Sequence, residues 1–122
     1  MTERALYCLV MTTTDSQALA ETLAQKIVSA RLAACVQLQP VTSFYVWQGQ
    51  SRRDPECLLL IKTRQALYAA LESFIQTHHN YATPEILQLP LTGGSPAYLQ
   101  WLQAQTMDPA VDKASDAAMD QA

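Results

Sequence analysis

Residues 34–50, ACVQLQPVTSFYVWQGQ, followed at 56–63 by ECLLLIKT, decide how this chain folds. Val36 and Leu38 alternate with Gln37 and Gln39, the two-residue period of a strand with one face in a core. Beyond Pro40 the run VTSFYVW is β-branched and aromatic, a composition that suits a pleated surface. Proline has no N–H to give a ladder, so Pro40 predicts a bulge, a bend or a sheet edge within one long strand. Gln48-Gly49-Gln50 supplies a turn, and 56–63 returns as a buried strand with Leu60 in its core. The two strands form a long hairpin whose far end outruns the body of the domain.

Working outward, residues 5–13 (ALYCLVMTT) are a second apolar run of strand length without helical period. Thr14 and Gln17 have the spacing of a capping box, and Leu19, Leu23 and Ile27 at i, i+4 and i+8 predict an amphipathic helix ending near Ala30. After the hairpin, Leu67, Ala70, Leu71, Phe74, Ile75 and His78 fall at helical spacing, and Pro84 forces this second helix to end by about His79. Residues 85–89 (EILQL) read as a fourth strand closed by Pro90. Ser95 as N-cap and Pro96 in the first turn open a short C-terminal helix. The order predicts an α+β fold, a ferredoxin-like βαββαβ sandwich with an extended β2–β3 hairpin, both main helices lying on one sheet face. ALYCLV and ECLLLI do not alternate, so the other face is apolar too and needs a cover. The simplest cover is another copy of the same chain.

A chain of 122 residues, 49% apolar, has the size and composition of one folded domain. Up to Thr106 seven basic residues balance seven acidic ones; the net charge of −3 comes from Asp108, Asp112, Asp116 and Asp120 against Lys113. This divides the chain into a domain at 1–106 and an acidic, frayed tail at 107–122. A neutral body without a basic stripe argues against nucleic acid as a partner. No apolar run approaches the roughly 20 residues that cross a membrane, and no secretory cleavage pattern follows the N-terminus, so a cytoplasmic protein is expected. The three cysteines, Cys8, Cys35 and Cys57, lack C-x-x-C spacing and sit in apolar stretches, which predicts reduced, buried thiols. With three glycines, no phosphate loop, no G-x-S-x-G and no close acid pair, the chain does not read as an enzyme.

Two constellations stand out. His78 and His79, adjacent in HHNYATPE, are imidazoles of the kind that ligate zinc or copper, with Glu85 a further oxygen donor. Successive helical residues point about 100° apart, however, so the pair chelates one ion only if the helix frays or a neighbouring chain contributes. The alternative packs His78 beneath the helix and lets His79 bond the last carbonyls. The second constellation is Tyr45, Trp47, Lys62, Tyr81 and Trp101 with Glu85. It suits either a small-molecule cleft between subunits or subunit packing with Glu85 as the structural partner of Lys62. Arg31, Arg52 and Arg53 raise anion binding, against which Arg52-Arg53-Asp54 reads as a solvated hairpin tip.

RLAACVQLQPVTSFYVWQGQ (31–50), LLLIKT (58–63), HHNYATPE (78–85) and YLQWL (98–102), in this order, closely resemble CutA, the divalent-cation tolerance proteins, from about Leu6 to Gln105. The resemblance implies a homotrimer akin to PII signalling proteins and a role in the response to divalent transition metals. Cupric copper is the implied ligand, at His78, His79 and the end of the first strand. There this chain carries Met11 where enterobacterial members carry cysteine, a soft thioether that suits cuprous copper. Asn80 and Ala82 also depart from the H-P-Y-E that other members carry, while T-P-E is kept. The competing reading is a PII-like signalling or scaffold trimer that takes a metabolite or protein partner at its clefts. A hydrolase of acylphosphatase type on the same fold lacks the anion-cradling loop it needs.

Overall fold

The structure, a computed structural model, describes residues 6–108. In chain order it holds β1 (Tyr7–Thr14), α1 (Gln17–Ser29), β2 (Cys35–Trp47), β3 (Gln50–Arg64), α2 (Tyr68–His78) entered through a 3-10 turn at Gln65–Leu67, β4 (Leu87–Leu91) and α3 (Pro96–Gln105). The strands form one sheet in the order β2-β3-β1-β4, every neighbouring pair antiparallel. This is the expected ferredoxin-like α+β arrangement.

The hairpin is built as its residues require. Trp47 pairs with Gln50, leaving Gln48 (φ 51°) and Gly49 (φ 77°) as a two-residue turn with both residues left-handed. That is the type I′ geometry whose twist matches a hairpin. Pro40 lies opposite Cys57 in a register that runs unbroken from Cys35 to Trp47. Of the three options for Pro40 the edge is the one realised, because β2 is an outer strand whose free side needs no N–H. Pro90 does not close β4 but sits inside it, opposite Cys8, on the other outer strand, and β4 begins two residues later than the sequence suggests.

Helix α1 is capped by Ser16, whose Oγ accepts from the Leu19 N–H at 3.1 Å, and not by a Thr14–Gln17 box. Thr14 is still paired to Cys57 in the ladder, so its backbone is held in the strand; its hydroxyl donates to the Ser16 carbonyl at 2.8 Å. The helix ends with Arg31 N–H on the Val28 carbonyl and Leu32 N–H on that of Ile27, a Schellman arrangement that puts Arg31 at φ 59°. The Arg31 guanidinium then donates to the carbonyls of Ala104 and Thr106, tying the end of α3 to the body. Met107, counted with the tail from sequence, packs against the core: its N–H donates to the Arg31 carbonyl and its carbonyl accepts from Arg64. The rest of the acidic segment, 109–122, lies outside the described residues.

The core gathers Cys8 and Val10 of β1, Leu59 and Ile61 of β3, Ala20, Leu23 and Ile27 of α1, and Leu71 and Ile75 of α2. Strand alternation then sends Leu9, Met11, Leu58 and Leu60 to the opposite face, so Leu60 is not a core residue of the subunit. Leu87 and Leu89 pair with Met11 and Leu9 and share that face, 51% and 41% exposed. One end of the face is covered by α3, where Tyr7 donates to Gln103 at 3.0 Å and Lys62 stands 5.7 Å over the Tyr98 ring. The remainder is an apolar sheet surface without a second layer among the described residues.

Candidate functional site

The two histidines close α2 in different ways. His78 Nδ1 lies 2.8 Å from the Phe74 carbonyl, which only accepts, so this nitrogen carries the proton. The ring stacks on Phe74 with centroids 4.1 Å apart, and its Nε2 has no partner among the described residues. His79 accepts the Tyr81 N–H on Nδ1 at 3.0 Å and donates from Nε2 to the Thr13 carbonyl at 2.7 Å. It is a neutral imidazole with both nitrogens engaged, bridging the end of β1 to the chain after α2. The arrangement exchanges part of the expected division of labour: His78 bonds the last helical turn, and His79 crosses to a strand.

Met11 stands on β1 between Leu60 and Leu87, on the sheet face away from the helices. His78 stays with α2 through Phe74, and His79 is anchored at Thr13, two residues along β1 from Met11. No group of three His, Cys, Asp or Glu side chains among the described residues is arranged to hold a metal ion.

The aromatic constellation separates into two places. Tyr45 and Trp47 of β2, Arg52 and Glu56 of β3, and Tyr81 and Glu85 from the connection into β4 line a cleft of about 690 Å³. It lies beside the open sheet face, at the end where Thr13 and the hairpin meet. Lys62 is six residues from Glu56 along β3, about 20 Å away at strand rise, in the α3 cluster with Tyr98. Trp101 stacks on that same Tyr98 with centroids 5.4 Å apart. Glu85 is not the partner of Lys62, because β4 pairs with β1 and β3 does not touch it in the sheet.

Hydrogen bonds hold the cleft in shape. The Tyr81 hydroxyl donates to Glu56 at 2.7 Å, and the Tyr45 hydroxyl donates to Asp54 at 2.5 Å. Arg52 approaches the same Asp54 oxygen at 3.8 Å. Burial, then the bond to Glu56, pushes the Tyr81 phenol far above its usual range; the bond to Asp54 raises that of Tyr45. Both rings are neutral donors to carboxylates at any ordinary pH. Asn80 reaches Asp15 at 3.2 Å and closes the rim. From sequence Arg52 was read as part of a solvated hairpin tip and Asn80 only as a departure from the family pattern, and neither they nor Glu56 were placed in the cleft. The signal for Arg52 and Glu56 lies in the register: Tyr45 pairs with Arg52 and Val41 with Glu56, which places them on the same face.

The family model described as CutA1 divalent ion tolerance protein matches residues 8–105. The chloroplastic protein CutA of Arabidopsis thaliana is 42% identical over 99 residues, 80% of this chain and 54% of that protein. The divalent-cation tolerance protein CutA of Thermus thermophilus is 41% identical over 99 residues, 80% of this chain and 96% of the relative. This chain thus spans about half the length of the plant relatives and nearly all of the bacterial one. Among solved structures, CutA1 from Thermus thermophilus superposes with a TM-score of 0.81 at 40% identity, covering 84% of this chain and 100% of the other. The CutA1 of a psychrotrophic Shewanella species gives 0.83 at 34% identity, covering 87% and 100%. The protein belongs to the CutA1 family of divalent ion tolerance proteins.

Proposed function

We propose that this chain works as a homotrimeric, non-enzymatic divalent-cation tolerance protein of the cytoplasm. The observation that supports it is the apolar sheet surface on which Leu9, Met11, Leu58 and Leu60 are half-buried and Leu87 and Leu89 exposed, beside a hairpin whose tip shows Phe44 (73%) and Val46 (70%) to solvent. Contiguous apolar surface of this kind marks an interface. Assembly buries it and brings ligands from different copies within reach of one another. His78 offers one imidazole nitrogen that has no partner among the described residues, and a copper ion held there can draw further ligands from a second copy or from water. Sedimentation velocity at micromolar concentration is expected to give a single species of three chains; a stable lone subunit overturns the assembly. Calorimetry with copper on the assembled protein is expected to lose heat in His78→Ala and to give the same heat when Met11→Leu replaces the thioether. Unchanged copper binding in His78→Ala removes that residue from the account.

A second reading rests on the cleft. Its volume of about 690 Å³ far exceeds a metal ion and falls in the range of small-molecule sites, roughly 300–1,000 Å³. On this reading the assembly is a signalling or scaffold module that binds a metabolite. A thermal-shift screen of metabolites against wild type and Trp47→Ala tests it, stabilisation in wild type alone being the expected result.

A further inference from the structure

We infer that the cleft between Tyr45, Trp47 and Tyr81 is an aromatic cage for a small organic cation, an alkylated ammonium. The inference rests on the reading of the cleft as a ligand site and specifies what enters it. Tyr45 and Trp47 from the hairpin and Tyr81 from the connection after α2 line one cavity, with Phe44 a fourth aromatic residue in its lining. Their faces carry the negative end of the ring quadrupole and attract a cation that sheds its water readily. An alkylated ammonium is such a cation, and its methyl groups also fit an apolar wall.

The charges in the cleft favour the same class. The lining holds two carboxylates, Glu56 and Glu85, against one cation, Arg52. The Arg52 guanidinium faces Asp54, so its charge is balanced from the same strand and does not make an anion site. Asp54 and Asp15 stand behind the rim, bonded to Tyr45 and to Asn80. Burial and then the bond to Glu56 raise the Tyr81 phenol, and the bond to Asp54 and then burial raise that of Tyr45. The negative charges of Glu56 and Asp15 beside Tyr81, and of Asp54 and Glu56 beside Tyr45, add to this against the opposing charge of Arg52. The field of these carboxylates lowers the energy of a cation. A phosphate or carboxylate ligand meets repulsion here and finds no unpaired arginine.

The cage is also held open. Tyr81 is fixed at three points: its hydroxyl on Glu56, its N–H on His79, and its ring against the His79 imidazole at 4.7 Å. His79 is in turn anchored to the Thr13 carbonyl. The imidazole that the metal reading singled out is thus a positioning residue for the aromatic wall.

Choline and its neutral carbon isostere, 3,3-dimethylbutan-1-ol, test the inference by calorimetry on the full chain in its assembled state at low salt. The expected result is choline binding about tenfold tighter than the alcohol, weakening as sodium chloride is added. Glu56→Gln keeps the shape and is expected to shrink the preference for choline while leaving the alcohol unchanged. Trp47→Ala, at a side chain 43% exposed and remote from the core, is expected to abolish binding of both with the far-ultraviolet circular dichroism unaltered. His79→Ala is expected to weaken choline binding and to be partly rescued by His79→Gln, which restores a donor towards Thr13. Retention on phosphatidylcholine vesicles that free choline competes off identifies a lipid headgroup as the source of the cation; choline binding without retention identifies a free alkylated ammonium. Equal affinity for choline and the alcohol, lost in Trp47→Ala, overturns the cation selectivity but leaves the cleft a ligand site. Absence of choline binding with another metabolite bound in the screen overturns the inference alone, and absence of any ligand overturns both.

Discussion

Leu59 and Leu60 are identical neighbours on β3 with different surroundings. Leu59 is fully buried under the helices, whereas Leu60 points to the uncovered face beside Met11. Leu59→Ala is expected to destabilise the subunit by about 2–5 kcal/mol in urea denaturation, the cost of a cavity in a packed core. Leu60→Ala is expected to spare that core and to act on assembly, so its effect grows as protein concentration falls. Cys8 supplies a pH test. Burial pushes its thiol up to about 11, whereas the unfolded chain releases the proton near pH 9. The neutral thiol is the form the fold holds. Its contribution is therefore complete below pH 9 and is lost as pH rises through 11, by at most about 3 kcal/mol. Thermal unfolding followed from pH 8 to 11 is expected to show that decline, and Cys8→Ala to flatten it.

Elements carry their own information. The hairpin turn was legible because Gly49 follows the last aromatic of a β-rich run, and the structure puts it at φ 77°. Gln48 at φ 51° was not legible, since nothing in a glutamine announces a left-handed backbone. Gln48→Gly or Gln48→Asn is expected to raise stability by about 0.5–1 kcal/mol by relieving that strain, measured as a shift of the urea midpoint. The start of α1 shows the opposite case. A capping-box spacing at Thr14 and Gln17 lost to Ser16 because the ladder with β3 claims Thr14 first. Pairing across the sheet outweighs a local cap. Arg31 follows the same logic: the Schellman end of α1 is tolerated without glycine because the arginine side chain is used, bonding the carbonyls that close α3.

At the scale of the whole molecule, the sheet face left bare by the subunit governs behaviour in solution. If copies of the chain cover it, folding and association are linked and the unfolding temperature rises with concentration. Differential scanning calorimetry across a hundredfold range of protein is expected to show that rise. The double variant Leu87→Asp/Leu89→Asp places charges on β4, where the face is most exposed, and is expected to remove the concentration dependence and lower the sedimentation coefficient. A rise that persists in the double variant excludes β4 from the interface. The same bare face frames the candidate site, for the cleft lies at its hairpin end and α3 closes the other.

The fold class, the strand count, the long hairpin and the excess of apolar surface follow from the sequence, because alternation, proline and glycine positions and caps act over a few residues. The family resemblance rests on the same short stretches, which keep their order. What the histidines and aromatics do was decided only in three dimensions. Register put Tyr45, Trp47 and Lys62 on one face, but distance along β3 left Lys62, with Trp101 of α3, at the far end of it from Tyr45, Trp47 and Tyr81. The engagement of both His79 nitrogens, by Thr13 66 residues away and by Tyr81, depends on β1 and α2 ending side by side. Residue type states what chemistry a side chain is able to do; the packing of distant segments determines which of its atoms are left free to do it.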